Sequence, residues 1–222
     1  MTKEIINWGI IGCGDVAEVK SGPAFQKTEN SVLYAVMRRN EDKVKDFARR
    51  HHVAHFYTDA SELINDKNIN AVYIATPPST HLQYALEVLA TGKDVYLEKP
   101  MVLNSIEAVI LANAVAKCKS KVTVAHYRRY LPVFLKVKEL LEDATIGKIS
   151  HAEINIAQSK NASLIAKTDV NWRINPEISG GGCFHDIAPH QIDLMYYYFG
   201  EIDHVEAIHL KEDENLHSCV SG

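Results

Sequence analysis

The stretch Asn7-Trp-Gly-Ile-Ile-Gly-Cys-Gly-Asp-Val-Ala17 decides how the rest of the chain is read. Ile5, Ile6 and Gly9–Ile11 make a short, nearly continuous apolar run, as in a strand buried on both faces of a parallel sheet. Gly12 and Gly14 come next, and Ala17 takes the third small position of a Gly-x-Gly-x-x-Gly/Ala fingerprint. Gly12 permits a tight turn, Gly14 lets a pyrophosphate reach the backbone, and Ala17 lets the next helix pack close to the strand. That helix would present its N–H groups and positive dipole end to phosphate. Gly12, Cys13, Gly14, Asp15 and Val16 are therefore the candidate phosphate-binding residues. Alone the fingerprint is weak, because any tight strand-to-helix turn can be glycine-rich.

The chain beyond the turn supplies its context. A short helix is expected over Asp15–Ser21, cut off by Gly22-Pro23, then a strand at Ser31–Met37 and a helix at Glu41–His51. Phe56-Tyr57 reads as a short strand, with a helix from about Ser61. Ala71–Ala75 is a strand stopped by Thr76-Pro77-Pro78, and Ser79 N-caps a helix running to Ala90. Asp94–Leu97, Ser105–Lys117 and Val122–Ala125 complete the series as strand, helix and sixth strand. Strands alternating with helices at this spacing mean βαβ units, so the fold class is α/β with a Rossmann, doubly wound parallel sheet.

Beyond the sixth strand the pattern changes. Ile149–Ala157 alternates as one strand of a second, mainly antiparallel sheet, and Ser159–Asn175 is polar, as in a loop near substrate. Gly180–Gly182 precede a helix from Cys183 to Tyr198 that Gly200 ends, and Val205–Leu210 reads as another strand. The chain therefore divides in two: residues 1–125 as the nucleotide-binding Rossmann domain, and 126–222 as a substrate-binding α+β domain with an open sheet. Two strands would leave that sheet with an unpaired edge and an uncovered face, so the chain is expected to be a fragment of a longer one.

Charge and composition exclude other classes. A net charge of -4 with no Lys/Arg-rich run argues against nucleic acid as partner. No apolar stretch approaches membrane-spanning length, and the start Met-Thr-Lys-Glu lacks a signal-peptide core. Cys13, Cys118, Cys183 and Cys219 lack Cys-x-x-Cys spacing, so neither a zinc ribbon nor a disulfide framework is indicated. A cytoplasmic protein with free thiols, and neither membrane nor nucleic-acid partners, is the expectation.

The tip of the second strand bears on the cofactor. An NAD-preferring site places Asp or Glu about 20 residues past the glycines, to bond the ribose 2′-hydroxyl. This chain has Met37-Arg38-Arg39-Asn40, and two guanidiniums suit a 2′-phosphate, or could simply snorkel at the sheet edge. NADP is preferred over NAD, with Glu41 still within reach of a ribose.

Several motifs together resemble the glucose-fructose oxidoreductase / inositol dehydrogenase / MocA family of NAD(P)-dependent sugar and polyol oxidoreductases. They are Gly9-Ile-Ile-Gly-Cys-Gly14, Ala75-Thr-Pro-Pro-Ser-Thr-His81, Gly92-Lys-Asp-Val-Tyr-Leu-Glu-Lys-Pro100, Arg129-Tyr-Leu-Pro132 and Ile146-Gly-Lys-Ile149. Trp172-Arg173, leading into Gly180-Gly-Gly-Cys-Phe-His-Asp-Ile-Ala-Pro-His190 and Asp193, extends the match over nearly the whole chain. The resemblance implies a catalytic Lys99, at the carboxyl end of a strand where open α/β sheets bind ligands, steadying a developing alkoxide. It also implies that Asp186 and His190 complete the constellation, His190 as general base and Asp186 positioning the substrate hydroxyl or fixing the charge on Lys99. Asp186 and His190 are four apart and so share a helix face, with Asp193 close to it and His185 turned away. Histidine suits proton transfer because its ordinary pKa is about 6.5.

Thr76 and Pro77 would border the nicotinamide half of a dinucleotide, with Glu98, Lys99 and His81 also toward the cofactor. Arg129, Trp172 and Arg173 would line the substrate pocket, though packing suits Trp172 equally well. A metal is not expected, because Asp186 and His190 lack a third and fourth ligand at convincing spacing. The reading is a dehydrogenase acting on the CH–OH group of a sugar, polyol or related cyclic alcohol, homo-oligomeric (dimer or tetramer) when its second domain is whole. A non-catalytic NAD(P)-binding sensor or regulatory protein is the alternative.

Overall fold

The computed structural model describes residues 5–156 and 172–208. Six strands run parallel in one sheet: β1 (Ile6–Ile11), β2 (Ser31–Met37), β3 (His55–Tyr57), β4 (Ala71–Ile74), β5 (Asp94–Leu97) and β6 (Val122–Val124). Their order is β3-β2-β1-β4-β5-β6, so the winding reverses between β1 and β4. That reversal leaves a crevice at the carboxyl ends of the strands, the place where open α/β sheets take ligands.

Both faces of the sheet are apolar because successive side chains alternate between two layers. Ile10, Val36 and Tyr73 join Phe25 of α1 (Gly22–Lys27) and Val44 and Phe47 of α2 (Glu41–Arg50) on one face. Ile11, Met37, Val72 and Ile74 join α3 (Ala60–Asn65), α4 (His81–Ala90) and α5 (Ser105–Val115) through Leu63, Ile64, Ala85, Val88 and Leu111 on the other. Each such large apolar side chain, once buried, contributes about 1.5–3 kcal/mol. Asn40, Asp59 and Asn104 cap α2, α3 and α5 by accepting from the backbone N–H of Lys43, Ser61 and Glu107.

Two local expectations are corrected. Gly22-Pro23 does not end the first helical segment; the chain passes through a π turn at Ala17–Ser21 and continues as α1 to Lys27. The Gly22 N–H donates to the Ala17 carbonyl, and a Cβ on Gly22 would lie 2.6 Å from that oxygen, so glycine permits the wide turn. Pro23 then falls in the first turn of α1, where no N–H is required. Ser79 does not cap α4 either: Pro78–Thr80 form a 3₁₀ turn, and Thr80 precedes α4 with its hydroxyl directed at Thr76 and Pro77.

The described residues up to Ala125, together with those from Trp172 to Gly180, form one compact unit; the remainder form a second. In the first, the Trp172–Ile174 turn and the short helix α7 (Pro176–Ser179) pack together, and α7 packs on Pro78–Thr80. The second contains a 3₁₀ turn at Tyr127–Tyr130 and the helices α6 (Pro132–Glu142) and α8 (Gly182–Phe199). α6 and α7 were not anticipated, although each carries proline in its first turn. α8 ends at Gly200, as expected.

Residues 149–156 carry no strand ladder among the described residues, and of Val205–Leu210 the described part holds a single bridge residue, Ile208. An alternating pattern becomes a strand only when a neighbour takes up its N–H and C=O groups. Ala157 and most of the expected Ser159–Asn175 loop lie outside the described residues. Among the described residues no helix is long and apolar enough to cross a membrane.

Candidate active site

The glycine turn leaves β1 against the ends of its two neighbours. Gly12 takes a φ of 90°, and a Cβ there would sit 2.9 Å from the Ala75 carbonyl oxygen, so both backbone and packing require glycine. The N–H groups of Gly12 and Cys13 donate to the Met37 carbonyl at the end of β2, at 3.0 and 3.2 Å. Cys13 therefore offers phosphate neither its amide nor its side chain, which is buried among Ile10, Ala17 and Phe25. Burial pushes its thiol up to about 11. Asp15 is exposed beside half-exposed Gly14 and Val16, and Glu18 N–H returns to the Gly14 carbonyl to start the helical segment.

Gly14 is different in kind from Gly12. Its φ is not left-handed, and an added Cβ would meet nothing within 4 Å. Nothing in the fold demands glycine there; what glycine leaves is open space at the carboxyl edge of the sheet. This fits a dinucleotide, whose pyrophosphate must approach such a turn closely. At the tip of β2, Arg38 reaches back so that Nη1 donates to the Cys13 carbonyl at 3.3 Å, while Arg39 is exposed. Glu41 is paired with Lys45 at 2.6 Å.

The Thr76 and Glu98 segments leave β4 and β5 side by side. Ala75 N–H donates to the Ile11 carbonyl and Glu98 N–H to that of Ile74, carrying the parallel pairing one residue past each strand. The Lys99–Pro100 peptide is cis, and Lys99 is half-buried. His81 joins the two segments: Nε2 lies 2.8 Å from the Thr76 carbonyl oxygen and Nδ1 3.0 Å from that of Pro100. Its ring is fully buried, and burial, opposed by these carbonyls, holds its pKa below the ordinary value. His81 thus fastens the two loops to each other from within the fold. Trp172 and Arg173, brought to this unit with α7, stack on each other, the guanidinium carbon 4.4 Å from the ring centre.

Arg129, Asp186 and His190 belong to the second unit. α8 carries Asp186, half-buried, and His190, buried, one turn apart. His190 is flanked edge-on by the rings of Tyr127 and His126, with centroids at 5.2 and 6.2 Å. The Arg129 fork is engaged by Asp193, and the guanidinium lies over the Tyr197 ring. His126 and Tyr127 escaped sequence reasoning, although the position just past the end of a parallel strand could have marked them. Tyr73, whose hydroxyl meets Glu98, was likewise missed.

Sheet order, glycine turn and strand-end groups define a Rossmann-type dinucleotide-binding protein. Residues 6–126 match the family model described as an oxidoreductase family with an NAD-binding Rossmann fold, and residues 134–217 match the GFO/IDH/MocA C-terminal domain. The chain belongs to the Gfo/Idh/MocA oxidoreductase family.

It is similar to Oxidoreductase P35 of Formosa agariphila, at 67% identity over 217 residues, covering 98% of this chain and 68% of the relative. Myo-inositol 2-dehydrogenase of Thermotoga maritima is 27% identical over 194 residues, covering 87% of this chain and 54% of the relative. Among solved structures, a levoglucosan dehydrogenase in complex with NADH and levoglucosan aligns with a TM-score of 0.74 at 26% identity. That alignment covers 89% of this chain and 55% of the other. The chain thus spans 68% of the length of the first of these curated relatives and 54% of the second.

Proposed function

We propose that the chain carries the nucleotide-binding and catalytic residues of an NAD(P)-dependent dehydrogenase acting on the CH–OH group of a sugar, polyol or related cyclic alcohol. The observation that carries this reading is Gly14, a glycine required by neither φ nor packing, opening on the strand ends beside which Lys99 stands. Residues 1–125 hold the dinucleotide in this reading and residues 126–222 serve the substrate. The relatives named as inositol and levoglucosan dehydrogenases support the substrate class.

Gly12 and Gly14 would shape the seat of the pyrophosphate, the first-turn amides of Asp15 and Val16 would face its charge, and Thr76 and Pro77 would border the nicotinamide half. When bound, the nicotinamide supplies the two-electron hydride chemistry. His190 takes the hydroxyl proton as general base, Lys99 donates a hydrogen bond to the oxygen as negative charge builds on it, and Asp186 orients that hydroxyl. Arg38 and Arg39, with Glu41 already paired to Lys45, favour the 2′-phosphate of NADP over the bare ribose of NAD.

The test is a turnover panel of sugars and polyols run with NAD and with NADP, on wild type and on Lys99→Ala and His190→Ala. Turnover that both variants retain at the wild-type rate refutes the catalytic assignment. Equal kcat/KM for the two dinucleotides refutes the preference for NADP.

A further inference from the structure

The π turn at Ala17–Ser21 and the Lys99 segment are joined beneath the surface by a chain of hydroxyl and carboxyl groups. β4 reads Ala-Val-Tyr-Ile, and Tyr73 is an aromatic with a polar tip inside an otherwise aliphatic, fully buried strand. Phenylalanine would fill the same space without the cost of burying a hydroxyl. The ring is fixed by Tyr96, stacked at 5.2 Å, and by Phe25, edge-on at 5.5 Å. Its hydroxyl therefore has one place to be.

A run of hydrogen bonds links that hydroxyl to the carboxylate beside it and onward to the Lys99 backbone. Ser21 Oγ, in the π turn just past the glycine turn, donates to the Tyr73 oxygen at 2.8 Å. The Tyr73 proton is then directed to Glu98 Oε1 at 2.5 Å. Glu98 Oε2 accepts the backbone N–H of Lys99 at 3.2 Å. Both ends of this carboxylate are engaged, one by the tyrosine and one by the lysine's own backbone. We propose that Tyr73 is a positioning residue: its hydroxyl fixes the Glu98 carboxylate and, through it, the backbone from which Lys99 projects.

The inference rests on the reading of Lys99 as catalytic only for its effect on rate. Burial, and after it the charge of Glu98, drive the Tyr73 phenol far above its ordinary range, so it stays a donor across any working pH. Removing that donor while keeping the ring takes one hydrogen bond from Oε1 of Glu98 and loosens the carboxylate that bonds the Lys99 N–H. Small misplacements of a catalytic group reduce rate steeply, while binding at a distance from it is untouched.

Tyr73→Phe in the full chain is the test, with two readouts. In turnover, kcat should fall about tenfold with the KM for dinucleotide unchanged, and Tyr73→Phe should add little to the loss caused by Glu98→Gln, because both act through one contact. Independently of turnover, the labelling rate of Lys99 by a trace of acetic anhydride, followed by peptide mass against Lys93 and Lys121, should change about threefold or more. Tyr34→Phe, on the opposite apolar layer, is the control and should leave it unchanged. If Tyr73→Phe does not fold, Ser21→Ala, which leaves the ring in place, should itself change Lys99 labelling about threefold or more, and an unchanged rate overturns the inference. Unchanged Lys99 labelling, or a kcat loss that adds fully to that of Glu98→Gln, overturns the inference. A wild type without turnover overturns the dehydrogenase reading instead, and the labelling comparison then decides this one.

Discussion

Arg129 grips Asp193 with two parallel hydrogen bonds, Nε to Oδ2 at 2.7 Å and Nη2 to Oδ1 at 2.5 Å. This fork-to-fork pairing ties the Tyr127–Tyr130 turn to α8, and the same turn sets the Tyr127 ring against His190. The Asp193 side chain is only 10% exposed, so Arg129→Ala would take both guanidinium bonds from a mostly buried carboxylate, leaving His126 Nδ1 at 3.8 Å beside it. We expect that variant to lose about 1–3 kcal/mol in urea unfolding, and Arg129→Lys, which keeps the charge but not the fork, to lose less. Changing both residues to leucine should restore part of the loss. A midpoint in Arg129→Ala equal to wild type would show that the pair carries no stability.

Glu18 makes the corresponding tie in the first unit and brings a pH dependence. It accepts from Arg50 through both carboxylate oxygens and stands 2.8 Å from His51 Nε2, joining the π turn to the end of α2. The Arg50 guanidinium, aided by His51 and opposed by burial, holds the carboxyl below its ordinary value of 4.5. A carboxyl depressed in the folded state binds fewer protons there than in the unfolded chain. Its stabilisation is therefore complete above about 4.5 and is lost as pH falls through the lower folded-state value. Melting temperatures of wild type and Glu18→Gln should differ near neutrality and converge as pH falls through that lower folded-state value. A gap that stays constant down to acid pH would refute the assignment.

The parallel sheet was legible because its strands are short apolar runs between glycine, proline and polar breaks, and local pattern is enough to mark them. Gly22-Pro23 misled because a π turn absorbs both residues, and a wide turn leaves no trace in hydrophobic spacing. At the site, residue types were legible but their engagements were not. Arg129 and His81 carry the chemistry of ligand contacts, and only three-dimensional neighbours reveal that Asp193 bonds the first and two backbone carbonyls flank the second.

Cys13 illustrates the same point as a prediction. Its place inside the glycine fingerprint suggests an accessible thiol, yet the side chain is fully buried and its pKa is pushed up to about 11, by burial first. At pH 8 the thiolate would be on the order of 0.1% of the thiol. Iodoacetamide labelling of the folded chain, read by peptide mass, should modify Cys13 at least about tenfold more slowly than half-buried Cys118, and the difference should vanish in urea. Equal rates in the folded chain would mean that the turn opens readily.

The sharpest test separates the two glycines of the turn. Gly12→Ala must accept both a left-handed φ and a methyl group 2.9 Å from the Ala75 carbonyl oxygen, so it should lose stability and dinucleotide binding together. Gly14→Ala meets no neighbour within 4 Å and no left-handed φ, so its melting temperature should stay within about 2 °C of wild type. The methyl would nevertheless stand where a pyrophosphate has to approach, and NADPH affinity by fluorescence titration should fall about tenfold or more. The addition of NADPH should accordingly raise the melting temperature of wild type but hardly that of Gly14→Ala. If Gly14→Ala binds NADPH as wild type does, the open space beside residue 14 is not the pyrophosphate seat, and the dinucleotide must be placed elsewhere on the sheet.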